Sequence, residues 1–139
     1  MTSFDDVLTG SVINYPYLWF REAEGGETEG RKLRPSAVAL RLKREGGADL
    51  IVLLAITSKH PMPSQAAVEI PENEKRRTGL DADKRLWVVL DEYNTDTVGE
   101  SLYLVPGSLA GNFGKRFFLT LLRAFAKVRL NARRVDRSE

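Results

Sequence analysis

The chain has 139 residues, 42% of them hydrophobic and 29% charged, with a net charge of +2, the size and balance of one globular domain over residues 1–139. It has no cysteine and one histidine, which excludes disulfides and thiolate metal centres. The longest aliphatic run, "LIVLLAI" at 50–56, is far shorter than the ~20 residues of a membrane helix, and "MTSFDDVLTG" lacks the basic-then-apolar order of a signal peptide; the expected compartment is the cytoplasm.

In chain order, "GSVINYPYLWF" (10–20) reads as a first strand broken at Pro16. "REAEGGETEGRKL" (21–33) is rich in Gly and Glu without periodicity and reads as a mobile loop. "PSAVALRLK" (35–43) alternates like a strand with one wetter face. "REGGAD" (44–49) is a turn in which Gly46-Gly47 supplies the positive φ of a tight hairpin. "LIVLLAIT" (50–57) is wholly apolar, as in a central strand buried on both faces.

"SKHPMPSQ" (58–65) holds two prolines and reads as a loop, "AAVEI" (66–70) as a short strand, and "PENEKRRTG" (71–79) as one or two helical turns between Pro and Gly. "RLWVVLDEY" (85–93) reads as one strand and "SLYLV" (101–105) as another. "NFGKRFFLTLLRAFAKVRLNARR" (112–134) reads as a long helix capped by Asn112. Phe118, Leu121, Phe125 and Val128 share one face, and Arg116, Arg123, Lys127 and Arg134 the other. "VDRSE" (135–139) reads as a frayed tail. Short strands followed by a C-terminal helix suggest a mainly β fold with α, a small barrel of about five to seven strands with the helix packed on it.

Charge is unevenly spread. No acidic residue falls between Glu100 and Asp136, a stretch that holds Lys115, Arg116, Arg123, Lys127, Arg129, Arg133 and Arg134. Such asymmetry suits a polyanion or an acidic partner, or a solvated helix face.

No nucleophile triad, phosphate loop, dinucleotide fingerprint or metal-spaced cluster is present. Two strand ends remain: Arg34-Pro35, and Thr57-Ser58 before Lys59 and His60. Folding the hairpin about Gly46-Gly47 sets Arg34 opposite residue 59, within one or two positions of the Thr-Ser pair. A guanidinium beside two hydroxyls, a lysine and a histidine suits a phosphate. Tyr15, Tyr17 and Trp19 could stack bases or fill the core.

"GSVINYPY", "KLRPSAVAL", "LLAITSKHP" and "WVVLDEY" together resemble the ordered motifs of the MazF/PemK toxins of type II toxin–antitoxin systems, from Gly10 to about Asp91. The resemblance implies an SH3-like, CcdB-like barrel, a homodimer, and metal-independent, cofactor-free endoribonuclease cleavage of single-stranded RNA, often mRNA. The products would carry a 2′,3′-cyclic phosphate and a 5′-hydroxyl. It also implies a cognate antitoxin with an acidic C-terminal segment. Arg34 matches the family's Arg-Pro arginine, Thr57 its catalytic Thr/Ser, and Asp91 an acidic position that some members use as a base. Two departures are Ser11 after Gly10, in place of Asp, and Val89, where some members have Arg. Ser58 and His60 join the candidate catalytic set, and Tyr15, Tyr17, Trp19, Lys32 and Lys59 the candidate RNA-binding set. A catalytically silent RNA- or protein-binding module is the alternative, and a CcdB-like gyrase inhibitor a third.

Overall fold

The computed structural model describes residues 4–28 and 32–138. Among them are eight strands in one mainly antiparallel sheet and three helices. The strands are β1 (Ser11–Tyr15), β2 (Arg34–Leu42), β3 (Leu50–Thr57), β4 (Ala67–Glu69), β5 (Trp87–Val89), β6 (Glu92–Thr97), β7 (Leu109–Asn112) and β8 (Arg133–Asp136). The helices are α1 (Phe20–Glu24), α2 (Glu72–Arg77) and α3 (Lys115–Val128). The order β4-β5-β3-β2-β1-β7 runs across the sheet, and β6 joins β3 to β8.

The β2–β3 hairpin turns at Gly46, whose φ of 71° is open to glycine. Beyond it Leu42 pairs with Leu50, Arg41 with Ile51 and Leu40 with Val52. A register shift between Val38 and Leu40 follows, after which Val38 pairs with Leu53 and Ser36 with Ala55. Pro35 has no N–H to donate, and the β2–β3 ladder stops at Ser36↔Ala55. Two residues further along the same register, Arg34 comes opposite Thr57. A register counted from the turn sets Arg34 against residue 59; the bulge accounts for one residue of that difference, and the turn, where Leu42 pairs with Leu50, for the other.

β3 divides its far edge between two partners. Leu50–Leu53 pair with β6 and Ile56–Thr57 with β5. Its alternating side chains enter two cores. Ile51, Leu53 and Ala55 join Ile13, Tyr15, Tyr17, Trp19, Val38, Val89 and Leu104 on the inner face. Leu54 and Ile56 join Val12, Ala37, Ala39, Ile70 and Val88 on the outer face, beneath α3. Phe118, Leu121, Phe125 and Val128 of α3 pack on this outer cluster, while Arg116, Arg123 and Lys127 are exposed. Leu121 is fully buried, worth about 1.5–3 kcal/mol.

Several sequence-based expectations are corrected. β2 has no continuous wet face, because Ser36–Ala39 are all buried between the two cores. The segment 85–93 is two strands separated at Leu90-Asp91, and 101–105 is not a strand. Asn112 ends β7 and its Oδ1 accepts from the Ser11 hydroxyl at 2.8 Å. The cap of α3 is instead Gly114, whose N–H donates to the buried Glu74 carboxylate at 2.8 Å. An anion at that end complements the helix dipole.

The helix stops at Val128, so Arg134 lies on β8, where its Nε donates to Thr95 Oγ1 at 3.1 Å. Residues 21–24 of the expected loop are helical, as part of α1, and its residues 29–31 lie outside the described residues. The expected frayed tail is folded as far as Ser138: β8 pairs parallel with β6, and Arg137 is 4% exposed. Glu139 lies outside the described residues.

Among the described residues, no helix is long and apolar enough to cross a membrane.

Candidate phosphate-binding cleft

Where the β2–β3 ladder ends, the inner core opens into a cleft of about 260 Å³. It is lined by Trp19, Arg21, Arg34, Thr57, Ser58, Lys59, Pro61, Gln65, Ala66, Ala67 and Val89. Arg34 and Thr57 continue the inner-face series of Val38, Ser36, Leu53 and Ala55, so both side chains leave the same face of the sheet. Trp19 and Val89 form the apolar floor, since both belong to the inner core. Pro35 therefore acts by ending one ladder, which leaves room between an arginine and a threonine.

Arg34 is fixed from two sides. Its backbone pairs with Tyr15 on β1, and its guanidinium carbon lies 5.5 Å from the Trp19 ring centroid. Arg21, the second residue of α1, approaches the same ring at 5.2 Å. Both contacts fall within cation–π range. Trp19 is 8% exposed and packs edge-on against Tyr17 at 5.2 Å. A π-face leaves the guanidinium edge free to bind an anion, whereas a carboxylate partner would occupy it.

Thr57 Oγ1 accepts the Lys59 N–H at 3.1 Å. That bond uses an oxygen lone pair and leaves the hydroxyl hydrogen available to a ligand. Among the described residues, three cations, Arg21, Arg34 and Lys59, line the cleft, and no acidic residue is part of its lining. The arrangement can bind an anion with two planar forks, one ammonium and hydroxyl donors.

The other candidates lie elsewhere. Tyr15 and Tyr17 are 0% and 1% exposed, which corrects the expectation that they stack bases. The Tyr15 hydroxyl donates to Asp96 at 2.6 Å and the Tyr17 hydroxyl to Glu92 at 3.2 Å. Burial first, and then the adjacent carboxylates, hold both phenols well above the usual tyrosine range. Lys32 is exposed and outside the cleft lining.

His60 sits on the rim with its ring 4.9 Å from that of Trp87 and its Nδ1 3.0 Å from the Pro61 carbonyl. Asp91 is half-buried between β5 and β6, where its carbonyl accepts the Arg133 N–H at 3.1 Å. Neither residue lines the cleft. At Glu92, burial raises the carboxyl pKa, against hydrogen bonds from the Phe20 N–H at 3.0 Å and the Tyr17 hydroxyl.

Arg21 and Gln65 were missed in the sequence. Arg21 stands at the head of a Glu-rich stretch that reads as loop, although its place just after "LWF" was a usable signal. Among the described residues, no group of three or more His, Cys, Asp or Glu side chains is placed to hold a metal ion. Comparison with protein-family models, with curated proteins and with solved structures found no match.

Proposed function

We propose that this protein is an endoribonuclease of the MazF/PemK toxin kind, acting on single-stranded RNA at the Arg34–Thr57 cleft. The observation that carries the reading is the convergence of Arg34, Thr57, Ser58 and Lys59 on one cleft, with no acidic lining residue among the described residues. The matching fold would be an SH3-like barrel. Its support is the divided edge of β3, which turns the sheet around the inner core.

In this reaction the substrate 2′-oxygen attacks the adjacent phosphorus as its proton leaves. The P–O5′ bond breaks, and the 5′-oxygen takes up a proton. The products are a 2′,3′-cyclic phosphate and a 5′-hydroxyl. The nucleophile belongs to the RNA, so the protein's task is to hold the phosphate and stabilise a phosphorane that gains charge. Arg34 binds two non-bridging oxygens at once, Thr57 donates its hydroxyl hydrogen, and Lys59 adds a point charge beside the leaving oxygen. An acidic antitoxin segment would meet the same three cations, and a homodimer would present two such clefts.

The apolar Val89 floor and the positions of His60 and Asp91 outside the lining favour a second reading, a binding module for RNA without cleavage. Incubation with a long single-stranded RNA in EDTA separates the two. Fragments ending in 2′,3′-cyclic phosphate support the enzyme. RNA that is retarded but intact supports the binder.

A further inference from the structure

Arg21 and Arg34 share a single platform. Their guanidinium carbons lie 5.2 and 5.5 Å from the centroid of the Trp19 ring, so their separation cannot exceed the sum of those distances. Both side chains line the cleft beside Thr57. The ring that holds them is buried in the inner core, which keeps the platform in place. Two like charges held on one ring repel each other. Among the described residues, no carboxylate lines the cleft to offset that repulsion, and Glu92 acts on Arg21 from outside it.

An anionic ligand relieves the repulsion, and the number of arginines says how much anion is wanted. One guanidinium fork matches one phosphate. A second fork within that limit can reach the next phosphate of the same strand.

We propose that Arg21, Trp19 and Arg34 form a two-phosphate subsite that grips consecutive phosphates of one single strand, Arg34 on the reacting phosphate and Arg21 on its neighbour. The subsite rests on the proposed function for the identity of the reacting phosphate, and it adds a ligand requirement: the strand must carry a second phosphate one nucleotide away. Arg21 is exposed, so its replacement leaves the core intact.

The test is calorimetric titration of the purified protein with thymidine 3′,5′-bisphosphate and with thymidine 3′-monophosphate. The bisphosphate should bind about tenfold more tightly or better, the worth of one charge-assisted contact. Arg21→Ala should bring the bisphosphate down to the monophosphate affinity measured on the same variant. Arg21→Lys should retain part of the advantage, since it keeps the charge and loses the fork. Equal affinities in the wild type, an advantage that survives Arg21→Ala, or no binding of either nucleotide at millimolar concentration overturns the proposal. RNA cleavage without a bisphosphate preference removes the subsite and leaves the ribonuclease. A preference that Arg21→Ala abolishes, without cleavage, leaves the subsite and removes the ribonuclease.

Discussion

Replacing Arg137 with alanine tests whether the C-terminal strand holds the cleft in place. Arg137 Nη1 donates to the Pro16 carbonyl at 2.7 Å, and Nη2 lies 3.4 Å from the Thr28 carbonyl. The guanidinium carbon stands 3.9 Å from the Tyr103 ring centroid and 5.6 Å from that of Tyr15. A hydrogen bond from a charged donor is worth about 1.5–3 kcal/mol, and a desolvated cation–π contact about 2 kcal/mol. With Arg137 4% exposed, Arg137→Ala should cost about 3.5–5 kcal/mol, the sum of those two contributions.

Domains are stable by about 5–15 kcal/mol in total, so the variant would lose a large share of its stability. Urea unfolding would show a fall in midpoint of about 1 M or more at the usual slope of 1–3 kcal/mol/M. The loss also reaches the cleft, because Pro16 and Thr28 bracket the segment that carries Trp19 and Arg21. A stability change below about 1 kcal/mol, near the ordinary effect of a surface substitution, would refute the reasoning.

Two further predictions concern pH and packing. The folded Glu92 carboxyl has a pKa above its ordinary value. Between those two values the folded state binds more protons than the unfolded one, so stability falls as pH rises through that window. Glu92→Gln keeps an acceptor for the Phe20 N–H and removes the charge. The unfolding midpoint of the wild type relative to this variant should decline as pH rises from the ordinary carboxylate value, and a flat difference contradicts the cause assigned. At Gly111, an added Cβ would stand 2.7 Å from Thr78 Cα and 2.8 Å from the Arg77 carbonyl oxygen. Gly111→Ala should therefore destabilise by about 1–3 kcal/mol by parting β7 from the end of α2, measured as a lowered melting temperature.

Legibility in the sequence followed the range of the interactions. The β2–β3 hairpin could be read because Gly46, the apolar run 50–57 and the alternation before it are local signals. α2 could be read from its Pro and Gly boundaries, and the apolar face of α3 from its period. The bulge at residues 38–40 could not be read, since nothing in "AVAL" marks a register shift that depends on two flanking strands. β8 was hidden because "RRVD" is polar; it forms by parallel pairing with β6 and burial of Val135, about 40 residues further along the chain. Tyr15 and Tyr17 were ambiguous for the same reason. Their ring faces enter the core while their hydroxyls find Asp96 and Glu92, partners from a distant strand.

Arg34 and Thr57 came together on paper because antiparallel pairing is nearly arithmetic. The arginine that completes the Trp19 cluster did not, because a five-residue helix leaves almost no periodic trace.

The most direct test of the account is the rate at which Arg34→Ala cleaves a long single-stranded RNA in EDTA, measured beside the wild type on folded protein. Arg34 is half-buried and lines the cleft, so its removal should leave the unfolding free energy within about 1 kcal/mol of the wild type, the worth of a surface cation–π contact. The account predicts that wild-type cleavage yields 2′,3′-cyclic ends and that the variant loses about 10²–10³-fold in rate, the effect of removing one transition-state donor. Cleavage by a folded Arg34→Ala protein at the wild-type rate would contradict it.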